Sequence, residues 1–140
     1  MTDRGRSSNS PFPGNLSIRT GIDLCDPKRM EKAILRGGDR FLNKIFTPGE
    51  ITYCEMLKNP FPSYAARWAA KEAVMKLLGA GIYEISFTDI EVIKTGNGRP
   101  ALSMTGRAQK VADEAGIQVV DISLSHERNM AVGMAVGICF

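Results

Sequence analysis

A single long helix is predicted by the stretch Ser63-Tyr-Ala-Ala-Arg-Trp-Ala-Ala-Lys-Glu-Ala-Val-Met-Lys-Leu-Leu-Gly79. Its interior is rich in Ala, Leu and Met, which are strong helix formers. Ser63 is a suitable N-cap, and Gly79 can end the helix. We therefore expect this segment to be the central helix of the fold.

One face of the predicted helix carries a carboxylate among mostly small or apolar residues. That face consists of residues spaced three and four apart: Ala65, Trp68, Ala69, Glu72, Met75 and Lys76. Glu72 and Lys76 can form an exposed i,i+4 pair, worth a few tenths of a kcal/mol. Alternatively, Glu72 lies inside a site, where a charge persists only if it is paired or metal-bound. Spacing leaves both readings open.

Length and composition are typical of one globular domain. The chain has 140 residues, of which 44% are hydrophobic and 24% charged. No apolar run is long enough to span a membrane, so no membrane segment is expected. Residues 1–15 are polar and broken by Pro11, Pro13 and Gly14, which predicts a flexible leader rather than a secretory signal. We assign 16–140 to a single domain.

The cysteines and the histidine bear on compartment and metal chemistry. Cys25, Cys54 and Cys139 are far apart and form no CxxC pair, which favours free thiols in a reducing compartment such as the cytoplasm. His126 is the only histidine, which argues against a histidine-rich metal centre.

A basic stripe is predicted in the segment after the first strand. Its cations recur every four residues, with one more beside the first: Lys28, Arg29, Lys32, Arg36, Arg40 and Lys44. Gly37-Gly38 is expected to break or bend a helix here. Such a run is usually a solvated helix face, but it can also dock an acidic protein. We rank nucleic acid lower, because no nucleic-acid-binding motif is recognised.

The first half of the chain predicts one strand and then helices. Residues 16–22 alternate apolar and polar residues, as in a strand, and Asp23 follows at its end. Asp23 is either a turn residue or a side chain projecting into a cleft. Asp26-Pro27 predicts a helix start, and Thr47-Pro-Gly-Glu50 has the spacing of a capping box for a helix to about Leu57.

The second half predicts paired strands. A strand over 85–94 and another over 101–104 flank the turn 95–100, whose glycines and Arg99 suit either a plain hairpin or an approach to phosphate. A helix over 105–116 precedes strands over 117–124 and 130–136. This order predicts an α+β fold with a mainly antiparallel sheet.

Several motifs, in order, resemble one family. They are Gly21-Ile-Asp23-Leu, Arg40-Phe41 with Ile45-Phe-Thr-x-x-Glu50, Arg67-Trp-Ala-Ala-Lys-Glu-Ala73, Asn97-Gly-Arg-Pro100 and Ser123-Leu-Ser-His126. Over about 18–136, the chain resembles the holo-acyl-carrier-protein synthases, the small single-domain 4′-phosphopantetheinyl transferases. Ala80 and Trp68 depart from the usual threonine and phenylalanine of this family.

The resemblance implies the phosphopantetheinyl transferase fold, with a long central helix and shorter helices against the sheet. It implies transfer of phosphopantetheine from coenzyme A to a serine of an apo-acyl carrier protein, for fatty acid biosynthesis, with release of adenosine 3′,5′-bisphosphate. It further implies Mg²⁺ held by Asp23 and Glu72, with Lys76 on phosphate. The base is either Glu72 or a metal-bound water.

The resemblance also implies contacts beyond the metal. The residues expected to bind the coenzyme are Lys71 in a secondary role, Lys76, Gly79, Gly98, Arg99, Pro100 and His126. His126 is alternatively a plain hairpin residue. Arg29 and Arg67 are expected to pair with carboxylates of the acidic carrier protein. A homotrimer with active sites between subunits is expected as well.

Two other functions are weighed against this enzyme. A basic α+β module that binds an acidic helical partner would explain the stripe but not Asp23 or Glu72. A phosphotransferase of another class is disfavoured, because the sequence has no P-loop.

Overall fold

The structure is a computed structural model that describes residues 14–140. Most of the predicted leader, 1–13, lies outside the described residues. In chain order the elements are β1 (Ser17–Cys25), α1 (Pro27–Ile45), α2 (Pro48–Glu55), α3 (Phe61–Leu78), a 3₁₀ turn (Phe87–Asp89), β2 (Ile90–Lys94), β3 (Pro100–Met104), α4 (Gly106–Glu114), β4 (Ile117–His126) and β5 (Ala131–Cys139).

The strands form two sheets, and every pairing is antiparallel. β5 lies in the middle of a three-stranded sheet with the order β1-β5-β4, and β2 pairs with β3 in a separate two-stranded sheet. The α+β prediction with antiparallel strands is therefore confirmed. Asp23 on β1 lies opposite Gly133 on β5.

The predicted central helix is α3, which packs on β1 and β5. It ends as predicted at Gly79, whose φ of 71° is left-handed and suits glycine. Its start was predicted three residues late, because the N-cap is Pro60 and not Ser63. The helix begins at Phe61, and Ser63 lies inside its first turn, where its hydroxyl accepts a hydrogen bond from Arg67. Pro62 is tolerated there because the first turn needs no N–H donor.

Local signals located the other helix starts. The Asp26 side chain accepts from the Lys28 amide at 2.8 Å, and the Thr47–Glu50 capping box is present, so both predicted caps are confirmed. The predicted bend in α1 falls at Gly38, whose φ of 59° and ψ of −148° are accessible almost only to glycine.

The strand predicted over 85–94 is only half correct. The segment before Ile90 is a loop and a 3₁₀ turn, in which Ile85 and Phe87 are both buried. Phe87 stacks on Trp68 of α3, with ring centroids 4.8 Å apart. The apolar residues Ile85 and Phe87 are thus buried in the core, Phe87 against α3, rather than paired in a strand.

The core is centred on α3, where small residues allow close packing. Its alanines at 65, 69, 70 and 73 are fully buried, together with Tyr64 and Val74. Within residues 14–140, no helix is both long and apolar enough to cross a membrane.

Candidate active site

The end of β1 and the last turn of α3 bring a carboxylate and a cation together. Lys76 Nζ donates to Asp23 Oδ1 at 3.0 Å and to the Ile22 carbonyl at 2.9 Å. The Lys76 side chain is 55% exposed and that of Asp23 23% exposed, so solutes can reach this pair. Asp23 is thus held at the edge of the sheet by a cation from the helix.

Glu72 lies one turn before Lys76 and is half-buried beside the same pair. Burial raises the pKa of Glu72, the negative charge of Asp23 raises it further, and the Lys76 ammonium partly opposes the rise. The negative charge of Asp23 therefore acts on Glu72, and a cation bound close to both carboxylates would relieve this repulsion.

The donor set suits Mg²⁺. Within the described part of the chain, no group of three or more His, Cys, Asp and Glu side chains gathers to hold a metal. Mg²⁺ commonly takes one or two carboxylates and completes its shell with waters and substrate phosphates. Asp23 and Glu72 fit such a site, in which a phosphate ligand would supply further oxygens.

An open pocket of about 460 Å³ lies beside these groups, lined by Thr20, Gly21, Ile22, Lys76 and Met134. Gly79 is exposed at the end of α3, and a side chain at its Cβ position would meet nothing within 4 Å. The β1 edge thus offers room for a ligand next to the Lys76 ammonium.

The other residues predicted for this site lie at the opposite edge of the sheet. Arg99 donates to Asp121 on β4 at 2.5 Å, and Gly98, in the same turn, has a φ of 82°. Pro100 begins β3, and His126 is exposed at the end of β4. Because β5 separates β4 from β1, the two edges are about 9–10 Å apart. One chain does not bring the turn to Asp23.

The prediction for Lys71 does not fit its position. The ammonium is completely buried, 2.6 Å from Glu50 Oε1, and it donates to the carbonyls of Ile45 at 2.8 Å and Phe87 at 3.1 Å. Burial lowers the pKa of Lys71, and the Glu50 carboxylate opposes this shift. Because its donors are used inside the core, Lys71 is not available to a coenzyme in this conformation.

Glu50 extends this buried pair into a network. Its carboxylate accepts from the amides of Thr47 and Val92, both at 2.9 Å. The pair therefore joins α2, α3 and β2 and has a structural role.

Arg67 is also buried, in contrast to its predicted role at the carrier surface. Its side chain donates to Ser63 at 2.6 Å and lies over the Tyr53 ring at 4.3 Å, and the residue is 5% exposed. Its Nε has no hydrogen-bond partner within residues 14–140. Arg29, by contrast, is exposed on α1 as the predicted role requires.

Two residues that lie near the predicted site residues were not identified from the sequence. Asp121 pairs with Arg99, and Lys94 lies over the Tyr53 ring at 4.7 Å. Both contacts join residues distant in sequence, so no local pattern indicates them.

Comparison with known proteins identifies the family of this chain. Residues 19–133 match the sequence model of the 4′-phosphopantetheinyl transferase superfamily, which defines the class of the chain. The holo-[acyl-carrier-protein] synthase of Halothermothrix orenii is 42% identical over 117 residues, covering 84% of this chain and 94% of that protein. The relative from Carboxydothermus hydrogenoformans, of the same name, is 45% identical over 117 residues, with the same coverage.

Solved structures agree. The holo-[acyl-carrier-protein] synthase of Neisseria meningitidis has a TM-score of 0.78 at 30% identity, covering 85% of this chain and 96% of that one. The Helicobacter pylori enzyme, solved in complex with coenzyme A, has a TM-score of 0.75 at 32% identity, covering 84% and 98%. The chain belongs to the holo-[acyl-carrier-protein] synthase family, and it is an enzyme of the phosphopantetheinyl transferase class.

Proposed function

We propose that this enzyme transfers 4′-phosphopantetheine from coenzyme A to a serine of an acidic apo-acyl carrier protein, and that the reaction depends on Mg²⁺ bound by Asp23 and Glu72. The observation that carries the proposal is the Asp23–Lys76 ion pair with the half-buried Glu72 one helical turn before Lys76, in a chain of this family. Residues 16–140 act as one catalytic domain.

The chemistry is a displacement at phosphorus. The serine hydroxyl gives its proton to a base, either Glu72 or a water, and its oxygen forms a bond to the phosphorus that carries pantetheine. The bond from that phosphorus to the bridging oxygen breaks, and adenosine 3′,5′-bisphosphate leaves with that oxygen. Mg²⁺, when bound, would neutralise phosphate charge and orient the oxygens. Lys76 can place its ammonium on a phosphate oxygen, since it is exposed and next to Asp23.

The exposed face of α1 supports an acidic partner. All six cations of the predicted stripe are exposed in the structure: Lys28, Arg29, Lys32, Arg36, Arg40 and Lys44. An acidic carrier protein would be steered toward this face, and Arg29 lies in the first turn of α1, near the end of β1. Because such carriers serve acyl-chain assembly, we assign the enzyme to fatty acid biosynthesis.

A homotrimer with sites between subunits is part of the proposal. The face of the three-stranded sheet that points away from α3 exposes large apolar side chains: Ile18, Ile22, Leu24, Val119 and Met134. A face of this kind is commonly covered by a partner. A second copy would both cover it and bring its own Asn97–Pro100 turn toward Asp23 and Glu72, which one chain keeps apart.

We also propose a cytoplasmic location. All three cysteines, Cys25, Cys54 and Cys139, are free. Unpaired thiols are the normal state of cysteine in a reducing compartment.

Intact-mass spectrometry of an apo-acyl carrier protein tests the function. The enzyme is incubated with the carrier, coenzyme A and Mg²⁺, beside an EDTA sample, the Glu72→Gln variant and the matched control Glu114→Gln, which changes an exposed carboxylate of α4. We expect a phosphopantetheine-sized gain for wild type and Glu114→Gln, and none in the other two samples. No gain with several carriers, together with no Mg²⁺-dependent coenzyme A binding, would support the non-enzymatic binding module instead.

A monomeric variant tests the trimer. Val119→Asp places a charge on the exposed apolar face, on β4 and away from the pocket beside Lys76, and it should yield a folded monomer without transferase activity. An active monomer isolated by size-exclusion chromatography would contradict sites shared between subunits.

A further inference from the structure

We infer that Gly21 and Gly133 are positioning residues for the Asp23–Glu72 pair: the absence of their side chains lets α3, which carries Glu72, lie directly on β1, which carries Asp23, and on β5. This inference rests on the proposed function of that pair. It concerns residues that contact neither substrate nor metal, and it assigns them a role in setting the separation of the two carboxylates.

The contacts at these glycines are made by helix backbone. A Cβ at Gly21 would lie 1.9 Å from the Ala73 carbonyl oxygen, and a Cβ at Gly133 would lie 2.2 Å from the Ala70 amide nitrogen. Neither glycine has a positive φ, so conformational freedom does not explain them. These positions require glycine because an added Cβ would clash with backbone atoms of α3. Unlike a side chain, that backbone cannot change rotamer to avoid the clash.

The two contacts flank both carboxylates. Gly21 precedes Asp23 by two residues on the same strand face, and Gly133 is the direct partner of Asp23 across the β1–β5 pairing. On the helix side, Ala70 and Ala73 lie on either side of Glu72. The two close approaches of helix to sheet therefore lie next to Asp23 on the strand side and next to Glu72 along the helix.

At Gly137, farther along β5, the helix approaches the strand with side-chain atoms rather than backbone atoms. A Cβ at Gly137 would meet the methyl carbons of Leu77 at 3.0 and 3.2 Å and Ile117 Cγ2 at 3.4 Å, all of them side-chain atoms. A leucine side chain can change rotamer, so the helix need not move there. Gly137 thus offers a control with the same substitution, the same strand and the same helix, but no forced movement of the backbone.

An added methyl group at either positioning glycine would displace the helix. Contact distances of 1.9 and 2.2 Å must rise to at least 3.0 Å, which requires a shift of about 1 Å. Glu72 and Lys76 move with α3, while Asp23 stays on β1. A displacement of about 1 Å is enough to cost a site roughly a hundredfold in rate, so carboxylate geometry should be affected even in a folded protein.

Mn²⁺ binding tests the inference, because carboxylate sites for Mg²⁺ also accept Mn²⁺. Free Mn²⁺ is measured by electron paramagnetic resonance with wild type, Gly21→Ala, Gly133→Ala and Gly137→Ala, all in the presence of coenzyme A and after circular dichroism has established folding. We expect Mn²⁺ affinity to fall at least about tenfold in the first two variants and to stay within about twofold of wild type in Gly137→Ala.

A kinetic signature separates positioning from loss of a ligand. High Mg²⁺ should restore part of the transfer rate of Gly133→Ala, since both carboxylates remain, but should not restore that of Glu72→Gln. Absence of Mn²⁺ binding by wild type would contradict the proposed function itself. If wild type binds and the folded Gly21→Ala and Gly133→Ala variants bind equally well, or if Gly137→Ala loses the same affinity, the inference is overturned. It is also overturned if neither variant folds, because the glycines would then be required for folding rather than for positioning.

Discussion

Two lysines of α3 each pair with a carboxylate, but the two pairs lie in opposite environments. Lys71 and Glu50 are 2.6 Å apart with both side chains completely buried, whereas Lys76 and Asp23 are 3.0 Å apart with side chains 55% and 23% exposed. The lysines are less than two turns apart on one helix. Their chemistry is the same, so the difference in role must come from what surrounds them.

The deciding difference is how many donors each ammonium has left. A lysine ammonium has three N–H donors. Within residues 14–140, Lys71 meets Glu50 and two carbonyls, which saturates it, while Lys76 meets Asp23 and one carbonyl. Lys76 therefore keeps a donor and access to solvent for a phosphate oxygen, and Lys71 has neither.

The largest expected effect is on stability, at the buried pair. Lys71→Met leaves the Glu50 carboxylate buried without its cation, which typically costs about 3–5 kcal/mol of unfolding free energy. Urea unfolding followed by circular dichroism measures the loss. Lys76→Met is the matched control, and it should cost less than about 1 kcal/mol, as expected of an exposed pair. Equal losses in the two variants would remove the distinction between the pairs.

When activity is measured instead of stability, Lys76→Met should show the larger loss of the two variants. Lys76→Met removes a cation from the site, and we expect kcat to fall by about 10²–10³-fold, as on removal of one preorganised electrostatic group. Initial rates of carrier modification by intact mass provide the measurement. A Lys76→Met enzyme within tenfold of the wild-type rate would show that the exposed pair is not catalytic.

The exposed Arg29 and the buried Arg67 extend the comparison between exposed and buried cations, with a smaller expected effect on activity and stability. Arg29 is exposed and Arg67 is 5% exposed. Arg29→Ala should raise KM for the carrier protein several-fold and weaken its salt dependence without a change in melting temperature, because an exposed interface charge acts mainly on association. Arg67→Ala should lower the melting temperature. Reversed outcomes would place the carrier contact at Arg67.

The smallest expected effect is on the melting temperature of the Glu72→Gln variant, measured in EDTA so that no metal ion is bound. Its folded pKa is raised above the ordinary 4.5 by burial and by Asp23, so the ionised carboxylate disfavours the folded state at neutral pH. Glu72→Gln should therefore melt slightly higher than wild type at pH 7. As pH falls through the folded pKa toward 4.5, wild type takes up its proton and this advantage should disappear. Melting curves across this range would contradict the account if the variant were less stable at neutral pH.

Much of the fold follows from local sequence signals, since each is complete within a few residues. The Asp26-Pro27 helix start, the Thr47–Glu50 capping box and Gly79 at the end of α3 are examples. Asp23 and Glu72 were singled out through the family resemblance, and helical spacing alone left Glu72 open. The roles of Arg67 and Lys71 did not follow, because a charged residue on a helix is normally exposed.

The burial of these two cations depends on partners far away in sequence. Glu50 reaches Lys71 from α2, and the Ile45 and Phe87 carbonyls come from α1 and the 3₁₀ turn. A partial signal was available: Ser63, Arg67 and Lys71 recur at four-residue steps, so they share one helix face with buried Val74 and Leu78. That face could be predicted, but the acceptors that satisfy its charges could not.

Calorimetric titration with coenzyme A, with and without Mg²⁺, tests the distinction between the two pairs most directly. Wild type is compared with Glu72→Gln at the exposed site and Glu50→Gln at the buried pair, which change the same functional group. We predict that Glu72→Gln loses the Mg²⁺-dependent part of binding, and that Glu50→Gln, though less stable, retains it while folded. Loss of that part in folded Glu50→Gln, or its retention in Glu72→Gln, would contradict the account.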